Sequence, residues 1–312
     1  MTLASVKGVF LDSSTLGADI DLSPLQALSC QCWDTTATED IVDRAREADY
    51  IVTNKVVITD SIMSALPNLK LICVAATGTN NVDLVAAKRK GIEVKNVTDY
   101  AGTSIAQLVF SYISELLLHT SHYAKLVKQG VWSDSPHFCV LDKPFIELAG
   151  KKIGLIGYGA LAKSVERVAK AYDMEVLIAE RKDMEQARSG RHLFTEVIKQ
   201  ADIVSIHCPL TAETENLIGA AELAQMKSTA VLINTARGGI VNEADLLEAL
   251  SNKRISAAAT DVLTEEPPQP DHLMLSKKLD NLIVTPHIAW ATVEARQRVM
   301  NKVIANIQSF FV

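Results

Sequence analysis

Short apolar runs recur along the whole chain, each closed by glycine, proline or a small polar residue and followed by a stretch with helical periodicity. From residue 151 the runs are "KKIGLIG", "EVLIAE", "ADIVSIHCP", "TAVLINTA", "ISAAATDV" and "NLIVTPH". They are apolar on both faces and rich in Ile and Val, as strands of a parallel sheet covered on both sides must be. Six such runs with crossover segments between them predict a doubly wound, Rossmann-type sheet. Nearer the N-terminus "VKGVFLD", "CQCWD", "DYIVTNK", "LKLICVAATG" and "GIEVKNV" repeat the pattern, spaced by helical stretches such as "TEDIVDRAREA" and "DLVAAKRKG". They predict a second, flavodoxin-like open sheet. The expected fold class is α/β, with two doubly wound parallel-sheet domains and a cleft between them.

The segment "TSIAQLVFSYISELLLHTSHYAKLVKQG" is apolar-periodic and too long for a loop, so it predicts one long helix, 103–128, crossing from one domain to the other. Its His119 and His122 read as surface or packing residues. Residues 292–312 predict an amphipathic helix that returns to the first domain. That makes the first domain discontinuous, 1–98 with 288–312, around a second domain at 99–287.

Ligands of open α/β sheets sit outside the carboxyl ends of the strands. Those ends carry Gly157, Glu180, His207-Cys208-Pro209, Ala236-Arg237, Asp261 and His287 in the second sheet. In the first they carry Asn54-Lys55, Thr77-Gly78-Thr79 and Asn96-Val97. "GLIGYGALAKSVERVA" sets Gly157-x-Gly159-x-x-Ala162 directly after a strand and before a helix. Gly157 allows the tight turn, Gly159 lets backbone approach a pyrophosphate, Ala162 packs helix on strand, and the helix N-terminus attracts negative charge. With acidic Glu180 closing the next strand, the context of a dinucleotide site is complete.

His287, in "TPHIAWAT", ends a hydrophobic strand, where a core histidine bonded to backbone is the ordinary alternative. Arg237, in "NTARGGIVNEADLLEAL", is flanked by two glycines and suits a fork that grips a carboxylate, the alternative being a surface pair with Glu243 or Asp245. Glu266, in "TEEPPQP", stands in a loop stiffened by prolines, with Glu265 as its decoy. A cation for an oxyanion, an imidazole for a proton and a carboxylate to fix the imidazole form a set for redox chemistry at a hydroxyl carbon.

Composition narrows the partners. The 312 residues are 48% hydrophobic and 22% charged with a formal net charge of −6, an ordinary globular balance long enough for two domains. No Lys/Arg run exceeds "KRK" at 88–90, which argues against nucleic acid. No apolar stretch approaches the length of a membrane span and no leader signature opens the chain, so a cytoplasmic protein is expected. The five cysteines are scattered, and the C-x-C of "SCQCW" has no second pair to complete a metal site. No metal is expected, and the thiols read as reduced.

"GLIGYGALA", "HCPLTAETENLIG", "NTARGGIVNEADLLEAL", "DVLTEEPP" and "TPHIAWAT", with "ATGTNNVDLVAAKRKGIEVKNV" near the front, resemble the D-isomer-specific 2-hydroxyacid dehydrogenases over nearly the whole chain. "TNK" at 53–55, "NNVD" at 80–83, "GVW" at 130–132 and Trp290 are most similar to the glycerate dehydrogenase, or hydroxypyruvate reductase, branch. The turn carries Leu161-Ala162 where many relatives have Ile-Gly, a conservative departure. The resemblance implies an NAD-binding second domain and a substrate-binding first domain. It places the catalytic roles on Arg237, Glu266 and His287. Cofactor contacts would fall on Thr103, Gly157, Gly159, Ala160, Leu161, Glu180, Arg181, Cys208, Pro209, Thr235, Ala236 and Asp261, with Arg237 and His287 beside them. Lys55 and the amides of Thr77, Gly78 and Thr79 would hold the substrate with Arg237 and His287.

The expected substrate is a small D-2-hydroxy acid or its 2-keto acid, and the expected assembly is a homodimer packed through 103–128 and Trp132. Glu180 favours NAD(H), since a carboxylate accepts from ribose hydroxyls and repels a 2′-phosphate; the adjoining Arg181 and Lys182 leave NADP(H) accepted. Phosphoglycerate dehydrogenase is the enzyme alternative, disfavoured by a chain expected to end without a regulatory domain. A cofactor-sensing corepressor on the same fold is the non-enzyme alternative, and glutamine in place of Glu266 would have marked a formate dehydrogenase.

Overall fold

The computed structural model describes residues 6–311. The chain divides into two compact units, one running to Tyr100 and resuming at Ala291, the other Ala101–Trp290. Each is built on its own all-parallel sheet.

The first unit carries β1 (Gly8–Phe10), β2 (Cys30–Cys32), β3 (Tyr50–Thr53), β4 (Leu71–Val74) and β5 (Glu93–Lys95), in the order β2-β1-β3-β4-β5. This is the flavodoxin-like order, with the switch point between β1 and β3. The β3 and β4 residues are all buried, as their continuous apolar runs require. Val9, Leu11, Ile41, Ile51, Ile58 and Ile72 join in one apolar core. The helix Val293–Phe311 belongs to this unit and buries Ala295, Val299, Met300, Val303 and Ile307, a single stripe at helical spacing. Arg296 secures its start, reaching both carboxylate oxygens of Asp19 at 2.5 and 2.8 Å.

The second unit carries β6 (Lys152–Ile156), β7 (Glu175–Ile178), β8 (Ile203–Ile206), β9 (Val231–Asn234), β10 (Ala257–Thr260) and β11 (Leu282–Val284). Their order is β7-β6-β8-β9-β10-β11, so the winding reverses between β6 and β8. Beyond β7 a single parallel bridge, Ala179 to His192, stands where a further outer strand would pair.

The long helix expected at 103–128 is two helices, Gly102–Leu118 and Thr120–Lys128, and both lie inside the second unit. The break is at His119, whose φ of 53° is left-handed. Glu115 makes the break self-sufficient. Its carbonyl takes the His119 amide at 2.9 Å, and its carboxylate takes the Thr120 hydroxyl at 2.6 Å and the Ser121 amide, satisfying donors that open the second helix.

Candidate active site

The reversal point of the second sheet holds the glycine turn. Gly157 has φ 84°, and a Cβ there would lie 2.6 Å from the Cys208 nitrogen. The ends of β6 and β8 therefore touch at backbone level, which only glycine permits. The helix Ala160–Ala171 follows with Gly159 as its N-cap and no side chain capping it. A Cβ on Gly159 would meet nothing within 4 Å, so open space lies over the first amides of that helix, while Ala162 is fully buried beneath. Uncapped amides beside open space suit an anionic pyrophosphate. The buried Thr235 hydroxyl has no hydrogen-bond partner among the described residues, a polar group placed for a ligand. These residues fit a dinucleotide.

Glu180 follows β7 and its side chain has no exposed surface. Its Oε1 accepts from Arg188 Nη2 at 2.5 Å and the Arg181 amide at 3.0 Å, and its Oε2 accepts from Arg188 Nε at 2.6 Å. Hydrogen bonds from the Arg188 guanidinium, then from the Arg181 amide, hold this carboxyl down at about 2. Arg188 is a residue the sequence did not disclose. Lys182, expected near the ribose, turns instead to Glu222 at 2.8 Å and the Leu217 carbonyl.

The catalytic candidates are brought together by three loops at the ends of β9, β10 and β11. Asn234 shapes the first, its amide donating to the Arg237 carbonyl at 2.9 Å and its oxygen accepting the Ala236 amide at 3.0 Å. A Cβ on Gly238 would fall 1.8 Å from the Leu263 carbonyl oxygen, so the Arg237 loop and the loop leading to Glu266 pass in contact. Arg237 is exposed and does not pair with either acid considered for it. Glu243 accepts the Thr264 amide at 2.8 Å, and Asp245 accepts the Ala220 amide at 2.8 Å.

Glu266 Oε1 accepts the Leu263 amide at 2.9 Å, and Oε2 lies 2.7 Å from His287 Nδ1. Partial burial pushes the Glu266 carboxyl up, but hydrogen bonds from His287 and the Leu263 amide, with the charges of His287 and Arg237, outweigh it and hold the group below its ordinary value. Glu265 takes no part, bonding only to the Gln269 amide. His287 has φ 55°, a left-handed conformation that costs a non-glycine residue about 1–3 kcal/mol and persists only where its surroundings impose it.

Asp261 imposes it. Its carbonyl takes the His287 amide at 2.8 Å, and its carboxylate takes the Ile288 amide at 2.8 Å, the Ala289 amide at 2.7 Å and the Thr285 hydroxyl at 2.5 Å. Thr285 in turn bonds the Tyr112 hydroxyl. Asp261, expected among the cofactor contacts, has its carboxylate engaged under the His287 loop, and only 1% of the residue is exposed.

Lys55, Thr77, Gly78 and Thr79 belong to the first unit. Buried Asp12 organises the turn after β3, accepting the amides of Asn54, Lys55 and Val56 at 2.9, 2.6 and 3.2 Å. Burial pushes the Asp12 carboxyl up against those hydrogen bonds. After β4, the Thr77 hydroxyl bonds the Val97 carbonyl at 3.0 Å and Asn96 holds the Thr77 carbonyl at 2.6 Å, so the 77–79 backbone is pinned from one side.

Residues 110–289 match the family described as D-isomer specific 2-hydroxyacid dehydrogenase, NAD binding domain. The glycerate dehydrogenase of Methylorubrum extorquens is 40% identical over 304 residues, covering 97% of this chain and 96% of that protein. The hydroxypyruvate reductase of Blautia hydrogenotrophica is 35% identical over 313 residues, covering 98% of this chain and 97% of that one. Among solved structures, the TT0316 protein from Thermus thermophilus superposes with a TM-score of 0.84 at 27% identity, over 98% of this chain and 97% of that one. With the site geometry, these matches make the chain a member of the D-isomer specific 2-hydroxyacid dehydrogenase family.

Proposed function

We propose that the chain interconverts a small 2-keto acid and its D-2-hydroxy acid with a nicotinamide dinucleotide, as a glycerate dehydrogenase or hydroxypyruvate reductase does. The observation that carries this reading is the 2.7 Å contact of His287 Nδ1 with Glu266 Oε2. With Nδ1 given to the carboxylate, Nε2 is the nitrogen that exchanges a proton with substrate. A dinucleotide bound there would supply the hydride for C2 of the keto acid, or take it up in the reverse direction. His287 donates its proton to the C2 oxygen as charge develops there, and Glu266 stays anionic behind the ring. Arg237 holds the carboxylate and polarises the carbonyl through a planar, two-pronged grip. Lys55 and the amides of Thr77, Gly78 and Thr79 are the substrate contacts proposed for the first unit.

In this reading Gly157, Gly159, Ala160 and Leu161 hold the pyrophosphate, Glu180 and Arg181 the adenosine ribose, and Thr103, Cys208, Pro209, Thr235 and Ala236 the nicotinamide end. Asp261 serves that end through the His287 loop. NADH is the better cofactor and NADPH is accepted. The working form is a cytoplasmic homodimer. Leu116 and Leu117 of the helix expected at its contact surface are already buried within this chain, and apolar surface lies open further on, with Trp132 53%, Phe138 91% and Leu141 75% exposed.

Initial rates with a panel of 2-keto acids, from glyoxylate and hydroxypyruvate to bulkier chains, test the assignment with NADH and with NADPH. Saturable turnover of the small acids, faster with NADH, is expected. Absence of turnover with every acid and both cofactors would overturn it.

A further inference from the structure

The dinucleotide reading leaves the adenosine end with a conflict that Arg188 resolves. A carboxylate offers about four lone-pair directions. On Glu180 they face Arg188 Nη2 at 2.5 Å, the Arg181 amide at 3.0 Å, Arg188 Nε at 2.6 Å and the Arg188 amide at 3.4 Å. Arg191 Nε adds a further positive charge 3.9 Å from Oε2. A ribose diol that is to donate to this carboxylate must displace one of these donors. The same contacts cancel much of the negative charge that would repel a 2′-phosphate.

Arg188 is placed to do more than neutralise. It sits in the exposed 181–190 loop, which closes back on the sheet through the Glu180 amide to the His192 carbonyl at 2.8 Å and the His192 amide to the Ile178 carbonyl at 2.9 Å. The Arg188 side chain is 59% exposed while its partner is wholly covered, so the guanidinium lies outermost with Glu180 beneath it. A guanidinium has five N–H donors, and the fork to Glu180 uses two groups, Nε and Nη2, leaving Nη1 for an incoming anion. Lys182 cannot supply that function from its place against Glu222.

We propose that Arg188 is the residue by which this chain admits a dinucleotide phosphorylated at the adenosine 2′-hydroxyl: it competes with the ribose diol for Glu180 and offers its outer edge to the phosphate. The proposal rests on the dinucleotide reading above. It makes cofactor choice here a property of the Glu180–Arg188 pair, so the preference for NADH over NADPH is shallow.

Calorimetry with ADP-ribose and 2′-phospho-ADP-ribose, which carry the adenosine end and pyrophosphate but no nicotinamide, tests this without turnover. The wild-type chain should bind both, with dissociation constants within about one order of magnitude, since the opposing charges nearly offset. Arg188→Gln should weaken the 2′-phosphorylated ligand about tenfold or more, the scale of one lost charge-assisted hydrogen bond, and leave ADP-ribose as tight or tighter. That variant strands a covered carboxylate, so Arg188→Gln is also made on a Glu180→Gln background, which strands none; there it should weaken the phosphorylated ligand by a similar factor relative to Glu180→Gln alone. A ratio of the two constants unchanged between Glu180→Gln and the double variant overturns the role of Arg188 while leaving the dinucleotide site intact. Binding of neither ligand to the wild-type chain would overturn both.

Discussion

Glu266 holds His287 with one carboxylate oxygen while its other oxygen is fixed by the Leu263 amide. The ring nitrogen proposed to face substrate is thereby set by a carboxylate that cannot rotate without losing a backbone hydrogen bond. Glu266→Gln keeps the shape and removes the negative charge behind a ring that must carry a proton during reduction. The kcat for reduction should fall by about 10² or more, the scale of losing general acid catalysis. A near wild-type kcat would reduce Glu266 to a packing role.

Asp261 gives a second prediction, because in the proposed reading it acts on the chemistry through the His287 loop. In Asp261→Asn one carboxylate oxygen becomes an NH2 group facing donors, and a buried donor left unpaired costs about 1–3 kcal/mol. Both kcat and thermal stability should fall, the melting point by about 2–4 °C per kcal/mol lost. Loss of activity with unchanged melting would return Asp261 to direct contact with the cofactor.

Acid should weaken the second unit through Glu180. The folded carboxyl sits at about 2 against an ordinary 4.5, so its stabilising contribution is fully present above about pH 4.5 and is lost as pH falls toward 2. The difference in unfolding free energy between wild type and Glu180→Gln should therefore shrink over that window. A difference constant from neutral pH down to 2 would show that the Arg188 pair is not formed in solution.

The exposed apolar side chains of Trp132, Phe138 and Leu141 predict association. Light scattering should return twice the 33.9 kDa chain mass. Phe138→Asp with Leu141→Asp should shift the population toward single chains, and a wild-type mass of one chain at micromolar concentration would contradict the dimer.

Residues that act through local pattern were legible in the sequence. The strands were, because a strand buried on both faces must be continuously apolar, and so were Gly157 and His287, because their neighbours announce a strand end. His119 was not: its helical period runs unbroken through "LLLHTSHY", and the left-handed break depends on the side chain of Glu115 reaching across the gap. Arg188 was not, since an exposed loop has no periodicity to show which of several basic residues returns to Glu180. Asp12 and Asp261 were hidden for a third reason. Each looks like a polar strand end, and only the folded chain shows its carboxylate spent on amides from a distant turn in one case and from the His287 loop in the other. The unbroken apolar period also misled the assignment of 103–128, whose two helices stay within one unit.

Paired steady-state rates for wild type and His287→Ala, read as NADH consumed with hydroxypyruvate or glyoxylate, test the central claim most directly. The wild-type chain should show saturable turnover and the variant a kcat lower by about 10² or more, the usual scale for losing general acid catalysis, with the dissociation constant for NADH nearly unchanged. Near wild-type turnover in His287→Ala would contradict it.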